Sequence, residues 1–132
     1  MATAFDKSRI YTKMKVTSFL LMIIISACGK PDEIAPVINI TFPTQNQNFS
    51  GGQSVIVQAT ITDNIEIHSV HLSVLDNTTN GHVIHLEQHL DTKNYNLYQS
   101  FFPQAGRSYT IEIEATDHNQ NTSKKQLNVS AN

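Results

Sequence analysis

Tyr109-Thr110-Ile111-Glu112-Ile113-Glu114-Ala115-Thr116 alternates strictly between residues that avoid water and residues that tolerate it. Side chains of an extended strand point to opposite faces in turn, so this octet reads as a β-strand with one face buried and one wet. A helix would need apolar residues both three and four apart, and the octet has none three apart. The same rhythm recurs upstream. Val55, Val57, Ala59 and Ile61 alternate with Ile56, Gln58 and Thr60, and Val70, Leu72 and Val74 alternate with His71 and Ser73.

Working outward, the pattern predicts seven strands: Val37–Phe42, Ser54–Thr62, Ile67–Leu75, Val83–Leu90, Asn96–Phe102, Ser108–Thr116 and Lys124–Val129. Clusters of turn-forming residues separate them at 43–52, 63–66, 76–81, 91–95, 103–107 and 117–123. Half-buried alternation of this kind belongs to antiparallel sheets. Seven such strands in about a hundred residues predict an all-β, seven-stranded antiparallel sandwich of the immunoglobulin-like or fibronectin-III-like kind.

Particular segments carry a family resemblance. Ala35-Pro36-Val37-Ile38-Asn39-Ile40-Thr41-Phe42-Pro43, Gly51-Gly52-Gln53-Ser54-Val55-Ile56-Val57-Gln58-Ala59 and Ile61-Thr62-Asp63-Asn64 are similar to stretches of bacterial Ig-like domains of cell-surface proteins. So are Ile67-His68-Ser69-Val70-His71-Leu72, Ala105-Gly106-Arg107-Ser108-Tyr109-Thr110-Ile111 and Ala115-Thr116-Asp117. The resemblance covers about residues 35 to 130 and implies a display or adhesion module, not a defined reaction. Its usual Asp-x-x-Gly-Asn turn stands here as Asp117-His118-Asn119-Gln120-Asn121, without the glycine. Tyr109, near the start of the penultimate strand, is a candidate either for a tyrosine-corner hydrogen bond or for a plain core aromatic.

The N-terminal segment supplies an address. Val16 to Ser26 is an apolar run of eleven residues. As a helix it would rise ~16 Å at ~1.5 Å per residue, about half of the ~30 Å hydrocarbon thickness of a bilayer. With Lys7, Arg9, Lys13 and Lys15 before it, the run has the shape of a secretory signal rather than an anchor. It ends in Ile25-Ser26-Ala27-Cys28, which resembles the lipobox of bacterial lipoprotein precursors, and Cys28 is the only cysteine of the chain. The resemblance implies cleavage before Cys28 and lipidation of its thiol, with acyl chains of the palmitate class. Residues 1–27 are then signal peptide, 28–36 the lipidated cysteine and tether, and 37–132 the sandwich domain; a start at Met14 would leave a compact signal of ordinary shape. The whole plan resembles small Bacteroidetes lipoproteins. The acidic Asp32-Glu33 and the Gly29 after the cysteine point to the outer membrane, facing the periplasm or the cell surface.

Beyond residue 27, Lys30, Lys93, Arg107, Lys124 and Lys125 stand against ten acids. An acidic surface with no basic stripe argues against nucleic acid, whose phosphates require a positive footprint. The expected partners are the membrane, through the N-terminal lipid, and a protein or glycan of the envelope. Among the aromatics, Tyr95, Tyr98, Phe101 and Phe102 cluster, and alternation predicts that half of them are buried. A glycan reading needs Tyr98 and Phe102 on the surface. None of the nucleophile elbows, phosphate loops or His-Glu-x-x-His patterns of enzymes is present, so the chain is expected not to be an enzyme.

Two constellations could hold an ion, Ca2+ or Zn2+. His85, Glu87 and His89 alternate with Ile84, Leu86 and Leu90, which places them on one outward face about 6.6 Å apart from neighbour to neighbour. His71 on a preceding strand is the candidate further ligand of a zinc set. Solvent-facing strand histidines are the plainer reading of the same residues. Asp63, Asn64, Asp91, Asp117, Asn119 and Asn121 fall in loops expected at one pole, and such hard oxygen donors suit calcium. Related calcium-binding sandwiches, cadherins among them, use equivalent loops. The plainer reading there is that Asp and Asn are bonding their own turns.

Overall fold

The structure, a computed structural model, describes residues 30–132. The expected signal segment with its expected lipobox, including Cys28, lies outside the described residues. Residues Asp32–Asn132 form a compact unit that holds every strand and the whole core.

The described residues form six strands and no helix: β1 (Val37–Phe42), β2 (Gln47–Phe49), β3 (Val55–Asp76), β4 (Gly81–Phe101), β5 (Arg107–Asp117) and β6 (Thr122–Ala131). The expected count of seven is corrected to six. The segments predicted at 54–62 and 67–75 are the two halves of β3, and those at 83–90 and 96–102 are the two halves of β4. Turn formers at 63–66 and 91–95 fold the paired strands from one layer into the other without ending either strand. The β3–β4 ladder is antiparallel from Val55 opposite Phe101 to Asp76 opposite Gly81, and its register shifts between Thr62 and Ile67, between Ile67 and Ser69 and between Val74 and Leu75. The short β2 lies in a predicted break. It pairs with β6 in parallel, a departure from the all-antiparallel expectation, and three residues are too few for alternation to show.

The long strands make the sandwich. The first half of β3 pairs with β1 and with the second half of β4. Its second half pairs with the first half of β4 and with β5, and β6 and β2 continue that layer. Both inner faces feed one core. Ile38, Val55, Val57, Ala59, Ile61, Leu97 and Phe101 come from the first layer, and Val70, Leu72, Val74, Tyr109, Ile111, Ile113, Leu127 and Val129 from the second. Burial of this apolar surface is the dominant favourable contribution to folding. The octet around Ile111 behaves as its pattern predicts: Tyr109, Ile111, Ile113 and Ala115 are buried, and the residues between them are half-buried.

The two ends of the sandwich are closed by polar contacts. At one, the Tyr109 hydroxyl accepts a hydrogen bond from the Gln104 backbone N–H at 2.8 Å, which is the tyrosine-corner arrangement. Nearby, Asp76 is buried at the mouth of the β3–β4 hairpin. Its carboxylate pairs with the Arg107 guanidinium and accepts the Thr78 and Thr79 backbone N–H groups. Burial pushes this carboxyl up, but the hydrogen bonds from Arg107 and then from the two backbone groups outweigh it and hold the pKa below the usual aspartate value. At the other end, Asp32 enters among Asn64, Asn119 and Asn121.

Candidate functional site

Six histidines lie on β3, β4 and the β5–β6 turn, and each has another histidine ring close by. His82, His85 and His71 form one group, with ring centroids 5.2 Å apart for His82–His85 and 4.5 Å for His71–His85. His89, His68 and His118 form the other, at 5.4 Å for His68–His89 and 4.7 Å for His68–His118.

A β-bulge builds the second group. Ile67 stands opposite Asp117 and Ser69 opposite Thr116, so β3 takes two steps where β5 takes one. The inward residues of β3 are Val55, Val57, Ala59, Ile61 and Ile67 before the bulge, and Val70, Leu72 and Val74 after it. Both residues between Ile67 and Val70 are consequently half-buried outside the core, and His68 is one of them. An extra residue in one strand re-aims side chains in this way.

Around His68 the chain brings together groups from three segments. Among the described residues, one group of three or more His, Cys, Asp or Glu ligand atoms lies within 4.8 Å of one another: His68, Asp91 and His118. His118 Nε2 is 3.1 Å from Asp91 Oδ1 and 3.9 Å from Glu66 Oε2. His68 Nδ1 is shielded from solvent and has no hydrogen-bond partner. Beside the group is a dimple of about 10 Å³, edged by Glu66 and His118, too small to hold an organic substrate.

The predicted zinc residues divide between the two groups. His71 Nε2 and His85 Nδ1 approach to 3.3 Å. Glu87 stands opposite His71 in the β3–β4 register, yet its carboxylate lies 3.8 Å from His89 Nε2, and both side chains are exposed. His89 itself stacks toward His68. His82, outside the predicted set, closes the first group by lying 2.9 Å from the Ser73 hydroxyl.

The predicted calcium residues do gather at one pole, but mostly to bond one another and the backbone. Asp117 Oδ1 accepts the Asn119 and Asn121 backbone N–H groups, each at 2.8 Å, and Oδ2 accepts the Asn121 side-chain amide at 2.7 Å. Asn64 donates to the Asp32 carboxylate at 3.1 Å, and Asn119 and Asn121 donate to the Asp32 carbonyl. Asp63 Oδ1 accepts the Ile65 N–H at 2.8 Å, which leaves its buried Oδ2 without a partner. Asp91 turns away to His118. Of the His68, Asp91 and His118 group, His68 and His118 belong to neither predicted set. The available signal was the spacing of Ile67 and Val70, two inward residues three apart in a period-two strand.

Residues 36–122, spanning β1 to the start of β6, match the family described as Bacterial Ig domain. The chain belongs to that family. Two solved structures resemble this Ig domain. The fibronectin(III)-like modules of Clostridium thermocellum CbhA share 16% identity at a TM-score of 0.48, over 74% of this chain and 47% of theirs, so the chain spans about half of that length. A CARDB domain from Pyrococcus furiosus, solved in complex with di-metal ions, shares 14% identity at a TM-score of 0.45, over 77% of this chain and 96% of its own. No curated protein matches the chain. Ig-like modules are generally non-enzymatic and serve binding or structural roles.

The outer face of the first layer of the Ig domain carries its exposed aromatics. Tyr98 is 64% exposed and Phe102 65% exposed, whereas Phe101 is buried in the core. Tyr98 edges a shallow groove of about 190 Å³ floored by Thr41, Gln58, Thr60 and Asn96. Among the described residues, β4 pairs only with β3.

Proposed function

We propose that the protein is a lipid-anchored Ig module of the bacterial envelope, held at the outer membrane through Cys28, that acts by non-catalytic binding. The observation that supports this reading is the capture of Asp32 by Asn64, Asn119 and Asn121 at one pole. Cys28 precedes Asp32 by four residues, a covalent reach of ~14 Å at ~3.4 Å per residue. A lipid there keeps that pole near the bilayer and turns the loops at 43–53, 76–82 and 103–107 toward a partner. Two or more acyl chains at one cysteine give stable anchoring that a single chain does not. In cells fed an alkyne-tagged palmitate, the wild-type protein is expected to take up the label and sediment with membranes, and Cys28→Ser to lose both properties. A Cys28→Ser protein that keeps label and membrane association would sink the proposal.

The exposed pair Tyr98 and Phe102 favours a glycan as the partner. Sugar rings stack on flat aromatic faces, and the hydroxyl and amide groups of Thr41, Gln58, Thr60 and Asn96 beside Tyr98 suit their hydroxyls. Electrophoresis of residues 32–132 through gels containing envelope polysaccharide is expected to show retardation that Tyr98→Ala and Phe102→Ala abolish. Unchanged mobility of the wild-type domain in every polysaccharide tried would remove the glycan reading and leave a protein partner.

A further inference from the structure

The geometry points to a transition-metal site of the zinc class formed by His68, Asp91 and His118, with Glu66 within reach as a further ligand. This ligand set is independent of the lipid anchor and differs from both sets that the sequence suggested. His68 comes from the bulge in β3, Asp91 from β4 and His118 from the β5–β6 turn, so three separate chain segments each supply one donor atom. Zinc bonded at ~2.0–2.1 Å in a tetrahedron holds its ligand atoms ~3.3 Å apart. The 3.1 Å between His118 Nε2 and Asp91 Oδ1 is already close to that spacing, and the three donors lie within 4.8 Å.

Two features separate this group from an ordinary exposed ion pair. His68 Nδ1 is withdrawn from solvent with no hydrogen-bond partner, although buried polar atoms almost always have one. Glu66 brings a second carboxylate to 3.9 Å from His118 Nε2, so the imidazoles sit among negative charge that a divalent cation would neutralise. Nitrogen donors paired with carboxylate select zinc and its neighbours over calcium, which requires six to eight oxygens. An ion held by donors from three segments would clasp those segments together at that pole. Asp117, in the adjacent turn, is already engaged by Asn119 and Asn121 and takes no part.

Titration calorimetry of residues 32–132 with Zn2+ alone tests the site, with Co2+ absorption spectra as a second readout of coordination. The expected result is one ion per domain and a tetrahedral cobalt band. The His68→Ala, Asp91→Asn and His118→Ala variants should each bind more than about tenfold more weakly, while His71→Ala and His85→Ala bind as the wild type does. His118 and Asp91 are exposed, so their replacement leaves the core intact, and circular dichroism of each variant verifies this. At zinc a hundredfold above its dissociation constant, the wild-type unfolding midpoint should rise by about 10 °C or more, and that of His118→Ala should not. Absence of zinc binding by the wild-type domain overturns the proposal. So does binding that is lost in His71→Ala or His85→Ala but kept in His118→Ala, which would move the site to the other histidine group.

Discussion

Leu72→Ala is expected to lower the stability of the domain by about 2–5 kcal/mol, the range for a large aliphatic side chain removed from a packed core. Leu72 is fully buried in the middle of β3, opposite Leu86 on β4 and Ile113 on β5. It therefore meets strands on both sides as well as the facing layer. Truncation removes the burial free energy of the lost methyl groups, and the neighbouring strands, hydrogen-bonded on either side, cannot close the cavity. In a domain of about a hundred residues each kcal/mol moves the thermal midpoint by ~4–8 °C, so the drop should exceed about 8 °C. Thermal unfolding followed by circular dichroism checks it. A drop of only a degree or two would mean that the layers are less tightly packed around β3 than the burial of Leu72 indicates. Leu86→Ala, on the partly buried first half of β4, should cost less.

Asp117→Ala is expected to cost about 2–4 kcal/mol, and to do so whether calcium or a chelator is present. The side chain is 2% exposed, and its two oxygens accept three hydrogen bonds, two of them from the backbone of its own turn. Removing the carboxylate leaves the Asn119 and Asn121 backbone donors in a half-buried turn without partners, at about 1–3 kcal/mol for each that water cannot reach, and takes from the Asn121 amide one of its two acceptors, the Asp32 carbonyl remaining. Asp117→Asn should recover part of the loss, since an amide oxygen in the place of Oδ1 still accepts the two backbone bonds, while the amide nitrogen in the place of Oδ2 cannot accept from Asn121. Unfolding midpoints measured in EDTA and in millimolar calcium should be the same for the wild type and lower by the same amount for Asp117→Ala. A wild-type midpoint that rises with calcium, and does not in Asp117→Ala, would show that the carboxylate holds an ion instead of its turn.

Both expectations turn on how local pattern relates to packing. Alternation at Tyr109–Thr116 predicts burial residue by residue because it is a property of one strand and of the period of its side chains. The same logic places Val70, Leu72 and Val74 inside and His71 outside. It fails where pairing, not patterning, decides. Asp63–Glu66 carries the residues of a turn, yet β3 continues through it because the ladder to β4 resumes on the far side. Asp117 is legible as a turn former or as an ion ligand, and only the positions of Asn119 and Asn121 show which hydrogen bonds it makes. The aromatic run is read correctly in part. Phe101 is buried and Tyr98 exposed as alternation requires, and Phe102 follows the same parity beyond the end of β4.

The amino-acid sequence by itself determined the all-β class, the identity of most core residues and the resemblance to bacterial Ig-like domains. Each of these follows from residue types and spacings within a single strand or turn. Tertiary structure alone decided that seven predicted segments become six strands and that β2 runs parallel to β6. It also decided that His68, Asp91 and His118 meet. His118 and Asp91 are 27 residues apart, and His68 joins them only because one extra residue in β3 shifts its parity against β5. The spacing of Ile67 and Val70 shows the parity shift, but which residues then stand opposite one another depends on the summed packing of both layers, and no local spacing encodes that.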